Sequence, residues 1–190
     1  MKWYVLAVAT PLLLAGCGSS PPTHFFTLNP VKPAAGTPPT HAKGPPLQVR
    51  DVQLPPTLDR LEMVLRGPGT QVQVLGSDRW AAPLKGLIRQ TLTQDLRDRL
   101  GENAVEATGT PTQPGKVQVL IVTVQEFSAD ASGRVTLDAN WALGRGNPPK
   151  PVLNRHATVH ADAGSVKPGA VADAMSRALG ALADRIAAAL

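Results

Sequence analysis

The chain has very little cysteine and no second long hydrophobic run after its start. A single cysteine, Cys17, occurs in 190 residues, so no intrachain disulfide can form. The apolar run from Trp3 to Leu14 contains Pro11 and is shorter than the roughly 20 residues of a membrane-spanning helix. The sequence also lacks a glycine-rich phosphate loop, a His-Glu-x-x-His motif and a Gly-x-Ser-x-Gly motif. These absences argue against the common nucleotide-binding, metalloprotease and esterase sites.

The one cysteine lies at the end of a signal-like segment. Lys2 and the apolar run come before Leu14-Ala15-Gly16-Cys17. A positive start, a short apolar core and small residues before a cut are typical of a secretory signal, and a cysteine directly after Leu-Ala-Gly resembles a bacterial lipoprotein signal. We therefore expect residues 1–16 to be removed and Cys17 to be acylated. An acylated Cys17 leaves no thiol for a metal site or a nucleophile. The alternative, an N-terminal transmembrane anchor, is disfavoured by the short run.

The net charge is moderately positive. Removal of residues 1–16 takes away one lysine and no acidic residue, so the formal charge falls from +5 to +4. In an exported protein, this charge favours anionic lipid headgroups or acidic protein surfaces over nucleic acid as partners. The simpler interpretation is a solvated, mildly basic surface.

A proline-rich leader follows the cysteine. Residues 18–46 hold eight of the nineteen prolines, a composition that favours polyproline II and cannot pack its own core. In that conformation the leader spans up to roughly 90 Å, at about 3.1 Å per residue. One apolar island, residues 24–28 with Phe25 and Phe26, interrupts it. The island is either a short strand docked on the domain, which we favour, or an apolar contact near the membrane.

Residues 47–190 are expected to form a single domain. Apolar alternation, turn residues and helical apolar stripes predict its elements in order: strands at 47–54, 61–66 and 71–75, a helix from Pro83 to Leu100, strands at 117–127, 134–143 and 152–161, and a helix from Pro168. The order and the antiparallel hairpins predict the α+β class. We expect a two-layer sandwich with a mostly antiparallel sheet and both amphipathic helices on one face.

No set of residues in the sequence forms a convincing catalytic or metal site, so we expect no enzyme, cofactor or metal. His156 and His160 share one strand face but are four residues apart, roughly 13 Å, too far to bind one metal. The acidic residues lie beside arginines and are expected to be salt-bridged at the surface: Asp59, Glu62, Asp78, Asp95 and Asp98. Trp141 is expected in the core from its alternation, and Trp80 either in the core or in a binding groove.

Several segments resemble the ABC-type transport auxiliary lipoproteins, a PqiC/YmbA-like family. The matching segments run along nearly the whole mature chain: Cys17 in its lipobox, Phe25-Phe26 with Leu28, Leu54-Pro55 with Leu58-Asp59-Arg60, Met63 to Arg66, Trp80-Ala81 with Pro83-Leu84, the strand ending at Phe127, the alternating Leu137 to Leu143, and the alanine-rich last helix. The same α+β domain with a lipid anchor is what this resemblance implies.

Membership would imply a periplasm-facing lipoprotein of a Gram-negative envelope that helps to move phospholipid or other hydrophobic molecules between membranes. Its partners would be an MCE-domain protein and an inner-membrane permease, and a homo-oligomer is left open. Gly18 replaces the aspartate that usually retains a lipoprotein in the inner membrane, which indicates the outer membrane. The candidate partner contacts are Leu58, Asp59, Arg60 and Trp80; a local ion pair that only holds the turn is the alternative for Asp59 and Arg60.

Two other functions compete with the transport subunit. One is a structural lipoprotein that supports envelope integrity without a transport role. The other is a periplasmic hydrolase, which needs a buried nucleophile with a positioned base; the sequence contains no visible arrangement of that kind.

Overall fold

Four strands and a long helix are followed by three longer strands and a second long helix along the described part of the chain. The computed structural model describes residues 21–34, 44–110, 115–146 and 148–190. Within them the elements are β1 (His24–Phe26), β2 (Leu47–Gln53), β3 (Glu62–Arg66), β4 (Val72–Trp80), α1 (Leu84–Leu100), β5 (Gln118–Ala129), β6 (Arg134–Arg145), β7 (Lys150–Asp162) and α2 (Pro168–Ala187). The signal segment and Cys17 lie outside the described residues.

The strands form one mixed sheet with β5 near its middle. The order is β1-β4-β3-β5-β6-β7, and β2 lies parallel to the first half of β5. Strand β3 meets the other end of β5, where Leu65 pairs with Ala129. The β3–β4, β5–β6 and β6–β7 pairs are antiparallel, whereas β1 runs parallel to β4. The mostly antiparallel sheet agrees with the sequence-based prediction.

Both helices pack against the sheet and against each other. Helix α1 contacts β2, and α2 contacts β6 and β7. Pro83 precedes the first turn of α1, where a missing N–H leaves no hydrogen bond unmade. The helix ends at Gly101, whose φ of 96° favours glycine and whose N–H donates to the Arg97 carbonyl at 2.8 Å. The predicted α+β class, with two helices on a mostly antiparallel sheet, is therefore confirmed.

Strand β6 carries the alternation that builds the core. Its inward positions Val135, Leu137, Ala139, Trp141 and Leu143 are all buried.

Asp130 orders the β5–β6 turn, because its Oδ1 accepts hydrogen bonds from the Ser132 N–H at 2.8 Å and the Arg134 N–H at 3.1 Å. Gly133 has a φ of 83°, and a Cβ there would lie 2.9 Å from the Ser165 carbonyl oxygen. A side chain at this position is therefore excluded by both backbone strain and contact.

Strand β4 is longer than its sequence indicates. The prediction covered 71–75, whereas the strand runs to Trp80. Its second half contains Gly76, Ser77 and Asp78, which have low strand propensity. Pairing with β1 holds that half extended, since His24, Phe25 and Phe26 align with Asp78, Arg79 and Trp80. Phe26 also accepts a hydrogen bond from the Ala81 N–H at 2.7 Å. A contact between residues more than 50 positions apart therefore decides the length of the strand.

Candidate functional site

The loop between β2 and β3 presents two charged side chains from a hydrogen-bonded turn. The Leu58 N–H donates to the Pro55 carbonyl at 2.9 Å, and the Asp59 N–H donates to the same oxygen at 3.2 Å. Asp59 and Arg60 are exposed, while Leu58 is buried in the core. The turn thus uses Leu58 as an apolar anchor and directs the next two side chains to the surface.

The charges around this loop form a loose surface cluster. Arg60 Nε lies 3.7 Å from Glu62 Oε2, and Arg79 Nη2 lies 3.6 Å from Glu62 Oε1. Arg60 therefore forms an ion pair with Glu62, the first residue of β3. Exposed pairs at such distances contribute little to stability, about 0–1 kcal/mol, so these side chains can exchange partners at low cost.

Trp80 belongs to the core. Its residue is 3% exposed, and it lines a small internal gap with Leu58, Glu62, Phe127 and Met175. The backbone N–H of Trp80 donates to the Leu61 carbonyl at 2.7 Å, which ties the end of β4 to the start of β3. Trp80 and Leu58 support the loop from inside, so neither presents a surface to a partner in this structure. Of the four candidate contacts, the structure brings Asp59 and Arg60 to the surface.

A second polar cluster fastens the segment after β1 to the helices. Asp95 Oδ1 accepts from the Val31 N–H at 2.7 Å, and Arg99 Nη1 donates to the Val31 carbonyl at 3.0 Å. Arg99 Nε also donates to Asp184 Oδ1 at 2.6 Å. Helix α2 lets this segment approach closely at Gly180, where a Cβ would lie 3.0 Å from the Val31 Cβ. We call Val31, Asp95, Arg99 and Asp184 the leader clamp.

The prediction of a surface position for Asp95 was wrong. Its side chain is 0% exposed, and that of Arg99 is 5% exposed. The overlooked signal is that both residues share the apolar stripe of α1 with Leu92 and Leu96, at helical spacings of three and four. The clamp also shortens the leader, because residues 28–31 pack on the domain and Leu28 is buried in its core.

Burial raises the pKa of Asp95 to about 7, since a carboxylate is poorly solvated in this position. The hydrogen bond from Val31 and the charge of Arg99 oppose this shift, while Asp98 and Asp184 add to it. Asp95 Oδ2 is buried and has no hydrogen-bond partner among the described residues. Both observations favour a protonated carboxyl below neutral pH.

An Asp95→Asn variant is expected to remove a pH-dependent part of the stability. Between the usual pKa of 3.8 and the folded-state pKa of about 7, the folded protein keeps a proton that the unfolded chain has released. The free energy of unfolding therefore falls as pH rises through this window, by up to about 4 kcal/mol from this group, and levels off above it. Asparagine does not titrate, so urea unfolding between pH 4.5 and 8 should show a flatter profile.

The matched control for this experiment is Asp173→Asn, the same substitution at an exposed position of α2. The charge of Asp173 is not among those that shift the pKa of Asp95, so this variant should keep the wild-type slope. Equal slopes in wild type and Asp95→Asn would contradict the assignment of this pH dependence to Asp95.

The histidines on β7 bind neighbouring side chains of β6. His156 Nε2 lies 2.8 Å from Asp138 Oδ1, and His160 Nδ1 lies 3.2 Å from Thr136 Oγ1. Among the described residues, no group of three or more His, Cys, Asp or Glu side chains is placed to hold a metal ion.

Across the same residues, neither helix has the length and apolar character needed to traverse a bilayer.

A family model for the ABC-type transport auxiliary lipoprotein component matches residues 26–187, which covers the domain and the segment held by the leader clamp. The chain belongs to this family. It is therefore an auxiliary lipoprotein of ABC-type transport, in a family that is not one of enzymes, and its expected partners are components of a transporter. The sequence-based resemblance is confirmed.

Curated relatives agree with this assignment. The chain is 32% identical over 145 residues to the intermembrane transport lipoprotein PqiC of Escherichia coli (strain K12), covering 75% of this chain and 73% of that protein. The PqiC protein of Shigella flexneri matches to the same extent.

Two solved structures share the fold of this family member. One is an uncharacterized protein with a TM-score of 0.73 and 18% identity, covering 89% of this chain and 99% of that one. The other is protein XCC0632 from Xanthomonas campestris, with a TM-score of 0.67 and 21% identity, covering 85% and 91%. At these identities the likeness shows the architecture alone.

Proposed function

We propose that this auxiliary lipoprotein is an outer-membrane subunit of an MCE-type intermembrane transport system, in which it docks the periplasmic partner. The observation that carries the proposal is the similarity to PqiC, whose name describes an intermembrane transport lipoprotein. The other components are an MCE-domain protein and an inner-membrane permease. The cargo is phospholipid or another hydrophobic molecule, and the subunit itself performs no chemistry.

The position of the folded unit supports a docking role close to the membrane. His24 follows Cys17 by seven positions, which span at most about 25 Å even when fully extended. Because β1 pairs with β4 and the leader clamp holds Val31, the tether ahead of the domain is much shorter than the whole proline-rich leader. With Cys17 acylated, the domain stays near its membrane, and a partner that crosses the periplasm must reach that surface.

The exposed charges of the β2–β3 loop are the proposed contact. Loops held by a rigid scaffold carry binding residues more often than packed faces do. Asp59 and Arg60 project from a turn that is already ordered by backbone hydrogen bonds and by buried Leu58. Pre-ordering of this kind lowers the entropy lost when a partner binds.

An Asp59→Ala/Arg60→Ala variant is expected to lose its MCE-domain partner. Cross-linked envelopes, solubilised in detergent, should yield an MCE-domain protein with the wild-type lipoprotein and little or none with the variant. Both side chains are exposed, so the melting temperature of the purified variant should equal that of wild type within error.

A Glu102→Ala/Arg155→Ala variant provides the control, because it also removes one acidic and one basic exposed side chain. It should recover the partner normally. Failure to recover an MCE-domain protein with wild type would contradict the transport role and favour the structural envelope lipoprotein. Normal recovery with the Asp59/Arg60 variant would place the contact elsewhere on the protein.

A further inference from the structure

A groove between α1 and the segment that follows β1 contains arginine side chains without an acidic partner among the described residues. It has a volume of about 600 Å³, within the range of roughly 300–1,000 Å³ that is usual for ligand pockets. Arg89, Thr93 and Arg97 line it at spacings of four residues, which places them on one face of the helix. The groove is also lined by Thr27, Leu28 and Pro30, and by Ala107 and Thr108.

Arg89 is the unusual group in this groove. Its Nε is buried and has no hydrogen-bond partner among the described residues. A buried N–H without an acceptor costs free energy, so such groups normally bind protein, water or a ligand. Arg97 is held at one atom, since its Nε donates to the Val105 carbonyl at 3.2 Å, and its two terminal nitrogens take no part in that bond.

The chain itself supplies no carboxylate for either arginine. All fourteen Asp and Glu residues lie in the described part of the chain. None of the ion pairs found among the described residues includes Arg89 or Arg97; the arginines that do form pairs are Arg60, Arg66, Arg79 and Arg99. An anion that pairs with these arginines would therefore come from outside the chain.

The hydroxyl groups around the groove have acceptors inside the protein. Thr91 donates to the Leu28 carbonyl at 3.3 Å, Thr93 to the Arg89 carbonyl at 2.7 Å, and Thr108 to Thr93 Oγ1 at 3.2 Å. These bonds hold the side chains that line the groove. The Arg89 guanidinium and the two terminal nitrogens of Arg97 remain as donors without an acceptor among the described residues. The site is therefore rich in donors and positively charged.

We propose that this groove is a phosphate-binding site with Arg89 as its principal ligand. A guanidinium group donates two parallel hydrogen bonds to the oxygens of a phosphate, and the Arg89 side chain makes no hydrogen bond or ion pair with any described residue. A phosphate also has enough acceptor oxygens for Arg97 to contribute, whereas a carboxylate has two. The phosphate is either inorganic or the headgroup of a membrane lipid; Thr27 follows Cys17 by ten positions, at most about 36 Å of chain.

The binding test uses the acylated protein purified in detergent and titrated with inorganic phosphate by calorimetry at constant ionic strength. Wild type should bind phosphate more tightly than acetate. Arg89→Gln should weaken phosphate binding about tenfold or more, because it removes a charge-assisted pair of hydrogen bonds. Arg89→Lys keeps the charge without the fork and should fall between the two. Arg155→Gln, the same change on exposed β7, should bind like wild type.

A second arm distinguishes the two sources of phosphate. Micelles doped with phosphatidylglycerol or with diacylglycerol of the same chains are compared by native mass spectrometry. Retention of phosphatidylglycerol by wild type, and its loss in Arg89→Gln, would identify a lipid headgroup; binding of inorganic phosphate alone would identify the free anion. Undetectable binding of both inorganic phosphate and phosphatidylglycerol, equal binding in Arg89→Gln at an unchanged melting temperature, or acetate binding as tight as phosphate would overturn the proposal.

Discussion

A Cys17→Ala variant is expected to accumulate as an uncleaved precursor that takes up no labelled fatty acid. Cys17 is the one cysteine of the chain and follows Leu-Ala-Gly, so its replacement leaves no thiol to accept an acyl group. Each buried CH₂ contributes roughly 0.8 kcal/mol to membrane attachment, and stable anchoring takes more than one chain. Loss of acylation should therefore abolish the lipid anchor completely. Metabolic labelling with a fatty acid, followed by gel electrophoresis, measures both effects.

A Ser20→Ala variant is the control for this experiment. It introduces the same residue three positions further along the chain and should be cleaved and labelled normally. Normal labelling of Cys17→Ala would refute the assignment of residues 1–16 as a lipoprotein signal peptide and of Cys17 as the anchor.

A Trp141→Ala variant is expected to lower the free energy of unfolding by roughly 3–5 kcal/mol. Trp141 is 3% exposed in the middle of β6, where it pairs with Val122 of β5 and Arg155 of β7. Removing the indole leaves a cavity between the sheet and the helices that the surrounding strands cannot close. Urea unfolding of the purified protein, analysed at an unchanged m-value, gives the difference.

Val152→Ala on the neighbouring strand is the control for Trp141→Ala. Val152 is 55% exposed, so its truncation should change the stability by less than about 0.5 kcal/mol. A Trp141→Ala variant with the stability of wild type would mean that the indole does not fill the core, and the alternation assigned to β6 would then be wrong.

The elements with strong periodicity were predictable from sequence. Alternation along β6 places Val135 to Leu143 in the core, and the stripe of leucines along α1 marks its buried face. Such patterns reflect local geometry, since side chains alternate along a strand and repeat every three to four residues on a helix. The second half of β4 has no such pattern, because its extended conformation depends on the distant strand β1.

The candidate site was predictable in part. Loop position and charge identified Asp59 and Arg60, which the structure places at the surface. The same reasoning missed Asp95, because an acidic residue in a charge-mixed helix usually faces water. Its place on the apolar stripe of α1 indicated burial, but its hydrogen-bond partner is the backbone N–H of Val31, which lies 64 residues away in the chain. Nothing in the local sequence indicates that hydrogen bond.

The sequence by itself determined the lipobox with its one cysteine, the two amphipathic helices, the β5–β6 hairpin and the family resemblance, because each depends on neighbouring residues. The tertiary structure alone decided three further features: the parallel docking of β1, the hydrogen bonds of Asp95 and Arg99 to Val31, and the groove in which Arg89 has no acidic partner among the described residues. Each of these features joins segments that are distant in the chain. Burial and hydrogen-bond satisfaction depend on what the folded chain brings together, and a linear pattern carries no information about a partner dozens of residues away.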